Sequence, residues 1–172
     1  SGGFRITSDK HYLLQIHYNN GAGIEGVKDN SGVRLYIGDT DGPEYSMLAT
    51  GSGIPRISIP PGETVDSTDT CTINKDLELL AGFPHMHETG DEFHETITRT
   101  NGAEESLIEL TGWNFEAQLF YDLPLTLAAG DQITTTCTFF NRGDKTVQGG
   151  LRTEDEMCFD FIYATPAGGA CQ

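Results

Sequence analysis

The chain has 172 residues, of which 26 are acidic and 10 are basic, so it carries a formal charge of −16. Such a surface repels nucleic acid and anionic membranes, and no run of about 18 apolar residues is available to span a bilayer. The length suits one domain, or one large and one partial domain, with a substantial core. We therefore expect a folded protein that binds no nucleic acid and has no membrane span.

Four widely spaced cysteines include no Cys-x-x-Cys pair, which argues against a zinc ribbon or a thioredoxin-type motif. An even number suits two disulfides and an oxidising compartment, while spacing alone leaves all three pairings open. The chain contains no signal peptide, and its Ser1-Gly2-Gly3 start is typical of a processing boundary at which an export signal would have been removed. We expect a secreted protein, either extracellular or periplasmic.

Short segments of alternating apolar and polar residues predict strands along the chain. They lie at 11–18, 33–37, 54–59, 65–73, 77–80, 93–100, 106–110, 113–119, 123–127, 133–140 and 157–164. Gly, Pro, Asn and Asp interrupt them, and Asn101-Gly102 is a hairpin signal. No window sustains a helical period beyond about two turns. The pattern predicts an all-β protein, either a sandwich or a barrel.

The stretch that points most directly to chemistry contains His85 and His87. Alternate side chains of a strand point to the same face, so the two imidazoles would project together while Met86 faces the other way. Their Cα atoms would lie about 7 Å apart, and histidine is the commonest metal ligand. The alternative is a pair of half-exposed histidines at the end of a strand.

Met157 and His17 are the other candidates. Met157 taken alone is a core methionine, but two histidines with a thioether form a sensible ligand set for a copper ion that changes oxidation state, because sulfur favours copper(I). His17 taken alone is a surface or hydrogen-bonded strand histidine. His11 and His94 have the same interpretation, and we do not expect His94 to join the site.

Five stretches, in this order, resemble motifs of one known family. They are Leu14-Gln15-Ile16-His17-Tyr18, Ser31-Gly32-Val33-Arg34-Leu35-Tyr36, Ile59-Pro60-Pro61-Gly62-Glu63, His85-Met86-His87-Glu88-Thr89-Gly90 and Glu156-Met157-Cys158. Over nearly its whole length the chain is similar to the copper type II, ascorbate-dependent monooxygenases, the group of peptidylglycine α-hydroxylating monooxygenase and dopamine β-monooxygenase. The resemblance implies that residues 31–172 form a C-terminal catalytic domain. That domain would be a disulfide-stapled, antiparallel β-sandwich of jelly-roll-like form, and residues 1–30 would match the last strand of a preceding copper domain.

The resemblance also implies the site. One copper, which binds O₂, would be held by His85, His87 and Met157. A second, electron-supplying copper would take His17 and an adjacent His-His pair. No two histidines are neighbours in this chain, so the pair would come from an N-terminal copper domain or a partner chain, or the protein works with one copper.

The family's disulfides imply the pairs Cys71–Cys171 and Cys137–Cys158. The second pair would hold the adjacent Met157 in place, and it closes a loop of about 20 residues, which is worth roughly 3 kcal/mol in the chain-entropy model.

Two positions depart from the peptide-amidating members of the family. Those members carry Arg two residues before the first His and Tyr four residues after the Met, whereas this chain has Phe83 and Phe161. Peptidylglycine is therefore a poor substrate candidate, and a more apolar or aromatic small molecule is favoured.

The resulting hypothesis is the oxygen-activating domain of a secreted copper monooxygenase, which hydroxylates a substrate C–H bond with O₂ and a reductant such as ascorbate. Two alternatives stay open. One is a single-copper binding, carrier or extracellular interaction module without turnover, and the other is a β-sandwich that binds no metal.

Overall fold

The computed structural model describes residues 2–14, 16, 18, 20, 22–39, 41–169 and 171. All but one of the strands in this part of the chain lie after residue 43. The elements are β1 (Gly3–Phe4), β2 (Glu44–Gly53), β3 (Ser58–Ile59), β4 (Thr64–Thr72), β5 (Leu77–Gly82), β6 (Pro84–His85), β7 (Gly90–Thr98), β8 (Glu104–Thr111), a 3₁₀ helix η1 (Phe115–Ala117), β9 (Tyr121–Asp122), β10 (Thr126–Leu127), β11 (Gln132–Phe140), β12 (Val147–Gln148) and β13 (Cys158–Thr165). None of the helices in the described residues is long and apolar enough to cross a membrane.

The larger sheet contains seven strands and is organised around β13. Its main path is β1-β2-β13-β5-β10, with β6 beside β13 and β9 beside β5. The pairing of β1 with β2 is parallel, and the other pairings are antiparallel. Because β6 pairs directly with β13, the sheet places the His85 stretch beside the segment that follows Met157.

The smaller sheet, in the order β4-β11-β7-β8, covers one face of the larger sheet. Alternate residues of β11, from Ile133 to Phe139, are buried. Leu48, Leu79 and Ile162 from the larger sheet belong to the same core cluster. Each large apolar side chain that is removed from water stabilises the fold by about 1.5–3 kcal/mol. A two-layer sandwich results, and a two-stranded ribbon of β12 and β3 lies beside it.

The predicted all-β class and antiparallel sandwich are confirmed. The ends of β4, β5, β7, β8, β11 and β13 lie within three residues of predicted strands. In β4, β7, β11 and β13, more buried and more exposed residues alternate over most of the strand, which is the pattern that the sequence displayed.

Three predicted strands are not found in the described residues, and one long strand was not predicted. Residues 33–37 and the described residues of 11–18 form no strand, and segment 113–119 contains η1 instead of a strand. Strand β2 was not predicted, because Gly51 and Gly53 interrupt its alternation. Both glycines have positive φ angles and lie against β13. Predicted strands 54–59 and 123–127 shrink to the two-residue strands β3 and β10.

Two disulfides cross-link the sandwich. Cys137 of β11 is bonded to Cys158 at the start of β13, so this bridge joins the smaller sheet to the larger one. Cys71 of β4 is bonded to Cys171 near the end of the chain. The structure thus contains both pairs that the family resemblance implies.

Two of the buried acidic side chains, Glu95 of β7 and Asp160 of β13, lie close together between the sheets. Thr50 and Thr135 donate hydrogen bonds of 2.7 and 2.5 Å to Glu95 Oε1. Asp160 interacts with Glu95, and burial together with that neighbouring carboxyl raises the pKa of Asp160 to about 9. Burial also raises the pKa of Glu95. The two carboxyl groups therefore retain a proton between the sheets at neutral pH.

Candidate metal centre

The loop that carries the two histidines is attached to the middle of the larger sheet. His85 lies opposite Phe159 in the β6–β13 pairing, and Phe83 and Phe161 exchange two backbone hydrogen bonds of 3.2 Å. Met86 is completely buried in the core cluster. His85 and His87 therefore point away from the sandwich interior on the same side, as the sequence predicts.

The two imidazole rings are close enough to serve one ion. Their centroids are 5.1 Å apart and their planes are nearly perpendicular, at 81°. Two nitrogens that share a metal lie within about 4 Å of each other, because each metal–nitrogen bond is about 2 Å long. His85 is partly exposed, whereas His87 is 5% exposed and has the ring of Phe115 at 5.7 Å.

A backbone carbonyl fixes the tautomer of His87. Its Nδ1 lies 2.9 Å from the carbonyl oxygen of Asp155, which can only accept a hydrogen bond. Nδ1 must therefore carry the proton and donate it. In the neutral ring Nε2 then keeps a free lone pair, which is the form that binds a metal.

A side-chain amide does the same for His85. His85 Nδ1 lies 2.7 Å from Gln118 Oε1, and the amide nitrogen of Gln118 donates to the carbonyl oxygen of Phe115 at 2.9 Å. This second bond leaves the amide oxygen for His85, so Nδ1 donates and Nε2 is free. Burial and the neighbouring His87 lower the pKa of His85, against the opposing effect of Gln118, and this favours the neutral ring.

Neither partner of the two rings was predicted from sequence. Gln118 directly follows η1, which Asn114 caps by accepting a 3.0 Å hydrogen bond from the backbone N–H of Glu116. Asparagine is a preferred N-cap residue, so Asn114 before Phe-Glu-Ala was the available signal. Its consequence for His85 depends on tertiary packing, which the local sequence does not reveal.

The main chain of His87 is held from both directions. Its N–H donates to Glu156 Oε1 at 2.6 Å, and its carbonyl oxygen accepts from the Trp113 indole at 3.1 Å. Trp113 also packs so closely on Gly90 that an added Cβ there would lie 2.6 Å from Trp113 Cδ1. Burial raises the pKa of Glu156 to about 8, against the lowering effect of the His87 N–H.

Met157 immediately precedes β13 and is half-buried. Cys158 and Asp160 point into the core, so by alternation Met157 shares the opposite face of the strand with Phe159. His85 lies opposite Phe159 in an antiparallel pairing. If this register continues, moving two residues forward from His85 and two residues back from Phe159 places His87 opposite Met157. The hydrogen bonds from His87 to residues 155 and 156 agree with this register.

Aromatic rings surround His85 on the outer face of the larger sheet. The ring of Phe161 lies 6.1 Å from that of His85, and Phe159 stacks on Phe161 at 5.3 Å. Phe83 lies 6.4 Å from His85 and 4.7 Å from Phe120, which is 60% exposed. The ligand pair therefore borders an apolar surface that is open to solvent.

The remaining histidines are placed differently. His94 lies on β7 of the smaller sheet, where its neighbour Phe93 is buried, so His94 faces outward on the opposite side of the sandwich and contacts Glu92 at 3.2 Å. His11 is exposed, and His17 lies outside the described residues. In the part of the chain that is described, three or more His, Cys, Asp or Glu side chains do not gather into a metal-sized group. Two imidazoles with a neighbouring thioether are the donors that this loop offers.

A family model matches the greater part of the chain. It is described as "Copper type II ascorbate-dependent monooxygenase, C-terminal domain" and covers residues 45–168. The chain belongs to this family, and the matched region includes His85, His87 and Met157.

Curated relatives point in the same direction. "Dopamine beta-hydroxylase" of Canis lupus familiaris is 28% identical over 179 residues, which cover 92% of this chain and 28% of that protein. "DBH-like monooxygenase protein 1" of Homo sapiens is 29% identical over 178 residues, covering 92% of this chain and 29% of that protein. "Putative DBH-like monooxygenase protein 2" of Homo sapiens is 26% identical, with 92% and 35% covered. The chain thus spans about a third or less of the length of these relatives.

Proposed function

We propose that this chain is the oxygen-activating domain of a secreted copper-dependent monooxygenase, which hydroxylates a C–H bond with O₂ and a reductant such as ascorbate. The observation that carries the proposal is the state of the two rings. His85 and His87 both donate Nδ1–H to fixed oxygens and keep Nε2 free on the same side of the loop. Membership of the copper type II family supports the choice of metal.

His85, His87 and Met157 would hold the copper ion. Imidazole binds copper in both of its oxidation states, while a thioether is a soft ligand that favours copper(I). When bound, copper supplies the electron transfer and oxygen chemistry that no protein side chain can perform. The donor set fits this metal better than zinc or calcium, which prefer thiolate, imidazole or carboxylate ligands.

The protein contributes orientation and a substrate surface. Gln118 and the Asp155 carbonyl keep both imidazoles in the tautomer that presents Nε2. Phe83 and Phe161 replace the polar side chains of peptide-amidating relatives and border His85. We propose that this surface holds an apolar or aromatic part of a small-molecule substrate beside the ligands and excludes water from that side.

The rest of the catalytic unit would lie outside this domain. We propose that residues 31–172 form the copper domain and that residues 1–30 end a preceding one, with His17 on a second, electron-supplying copper. An N-terminal domain or a partner chain would then provide the adjacent histidine pair. The two disulfides suit an oxidising, secreted or extracellular location.

A second candidate is a single-copper binding or carrier module without turnover, which needs only the one ligand set that this chain supplies, His85, His87 and Met157. The two candidates differ in whether the reduced, copper-loaded chain consumes O₂ in the presence of substrate. Both require the same copper ligands, so metal binding has to be measured first.

Copper content after loading and desalting provides that measurement. We expect about one tightly held copper per chain, lost in the double variant His85→Ala/His87→Ala. His94→Ala is the matched control, because His94 lies on the other side of the sandwich, and it should keep its copper. Copper retained by the double variant would refute the ligand assignment, and ascorbate-dependent O₂ uptake would then separate enzyme from carrier.

A further inference from the structure

Glu156 connects the two halves of the candidate copper site. Its side chain is completely buried, and Oε1 accepts a 2.6 Å hydrogen bond from the backbone N–H of His87. Met157 is the next residue in the chain. One oxygen of the Glu156 carboxyl group therefore joins the loop that carries the imidazoles to the segment that carries the sulfur.

The main chain on both sides of Met157 is fixed as well. Glu156 N–H donates to the Gln148 carbonyl at 2.9 Å, and the Glu156 carbonyl accepts from Gly150 at 3.0 Å. On the other side, Cys158 is held by its disulfide to Cys137. The disulfide ties Met157 to the smaller sheet, but among these anchors only the 155–156 segment ties it to His87.

We propose that Glu156 is a positioning residue that holds the Met157 thioether within reach of the ion bound by His85 and His87. This inference rests on the proposed function, since it concerns the same ion. It assigns Glu156 no role as a ligand, because its one satisfied oxygen is directed at a backbone N–H.

The proposal has a consequence that depends on the oxidation state of copper. Without an acceptor on residue 156, the buried His87 N–H loses its partner. Of the two hydrogen bonds between His87 and the 155–157 segment, only the one to the Asp155 carbonyl oxygen then remains, so the position of the Met157 sulfur relative to the imidazoles is less tightly fixed. Loss of a thioether ligand weakens copper(I) binding more than copper(II) binding, because sulfur is the soft donor of the set. A general loss of folding stability would instead lower both affinities together.

The test compares Glu156→Ala, Glu156→Gln and Met157→Leu in the full 172-residue chain. Affinities for copper(I) and copper(II) are measured by competition with chromophoric chelators, and the copper–sulfur contribution is followed by X-ray absorption of the copper(I) form. Met157→Leu and Glu156→Ala should each lower copper(I) affinity about 10-fold or more, with copper(II) affinity nearly unchanged and the sulfur signal lost. Glu156→Gln retains an oxygen acceptor and should remain close to the wild type.

Two comparisons make the result decisive. The double variant Glu156→Ala/Met157→Leu should match Met157→Leu alone, because the position of an absent sulfur no longer matters. Glu154→Ala is the control, since this exposed carboxylate contacts Arg152 at 3.3 Å instead of His87, and both affinities should stay at wild-type values. If Glu156→Ala fails to fold, Glu156→Asp replaces it, because its shorter side chain withdraws the acceptor from His87.

The inference is overturned if Met157→Leu lowers copper(I) affinity selectively while the Glu156 variant leaves both affinities unchanged or lowers them equally. If Met157→Leu has no selective effect, the His₂Met site itself is wrong and the proposed function fails with it. The two failures are therefore distinguishable in the same data set.

Discussion

Replacing Asp160 by Asn should make the stability of this protein much less sensitive to pH. Asp160 is completely buried, and its neighbour Glu95 already accepts hydrogen bonds from Thr50 and Thr135. Neither Asp160 oxygen has a partner of good hydrogen-bond geometry in the described chain, although the nearby backbone N–H groups of Phe83 and Phe161 lower its pKa against the effect of burial. A shared proton is what allows the two carboxyl groups to be buried together.

The sign and size of the effect follow from the pKa shift. The ordinary pKa of an aspartate is 3.8, and burial, aided by the Glu95 carboxyl, raises the pKa of Asp160 to about 9. Between these values the folded chain keeps a proton that the unfolded chain releases. The free energy of unfolding therefore falls with rising pH over this range, by roughly 3 kcal/mol from pH 5 to pH 7 for one retained proton. This contribution is fully present below the unfolded pKa and is lost as pH rises through the folded one.

An asparagine amide is neutral without a proton and can donate its N–H to Glu95. We expect the stability difference between Asp160→Asn and the wild type to shift in favour of the variant by roughly 3 kcal/mol between pH 5 and pH 7. The assay is urea unfolding of the metal-free chain with its disulfides intact, followed by circular dichroism at half-unit pH steps. Asp144→Asn, in the exposed loop after β11, is the control and should run parallel to the wild type.

Parallel curves for Asp160→Asn and the wild type would refute the reasoning. They would mean that the carboxyl of Asp160 is ionised in the folded protein, or that the pair takes up a charge that the interior accommodates. A constant offset at every pH would likewise assign the effect of Asn to packing and not to a retained proton.

Two further substitutions test the supports of the histidine loop. Gln118→Leu removes the oxygen that orders His85 Nδ1 and should lower copper affinity about 10-fold; an unchanged affinity would show that this contact does not orient the ring. Gly90→Ala would place a Cβ 2.6 Å from Trp113 Cδ1 and should destabilise the chain by about 1–3 kcal/mol. The latter is checked by thermal unfolding against Gly38→Ala, where an added Cβ meets nothing, and equal melting temperatures would contradict it.

The predicted strands are found where one face of the segment is buried. In β11 the apolar positions of the alternation coincide with the core positions, so the pattern predicted both the strand and its buried face. Segment 11–18 alternates equally well, yet Tyr12 and Leu14 are more than half exposed. Alternation indicates that a strand is possible, but a neighbouring strand has to bury the apolar face, and a short window contains no information about that neighbour.

The candidate site, too, could be predicted from the sequence only in part. The position of His85 and His87 on one side of the loop follows from strand alternation and could be predicted. Gln118 and Glu156 act on them from 33 and 69 residues away in the chain. These contacts depend on which segments meet in the sandwich. The shared orientation of the two histidines was therefore predictable, whereas the residues that orient them were not.

Trp113 is the only tryptophan in the sequence, and its indole N–H is hydrogen-bonded to the carbonyl oxygen of His87. All tryptophan emission of the intact chain therefore comes from one ring attached to the histidine loop. Events at that loop, such as metal binding or a shift of its backbone, would reach this fluorophore through that hydrogen bond and through its packing on Gly90. The unlabelled protein therefore contains an intrinsic fluorophore that is hydrogen-bonded to the main chain of a candidate ligand.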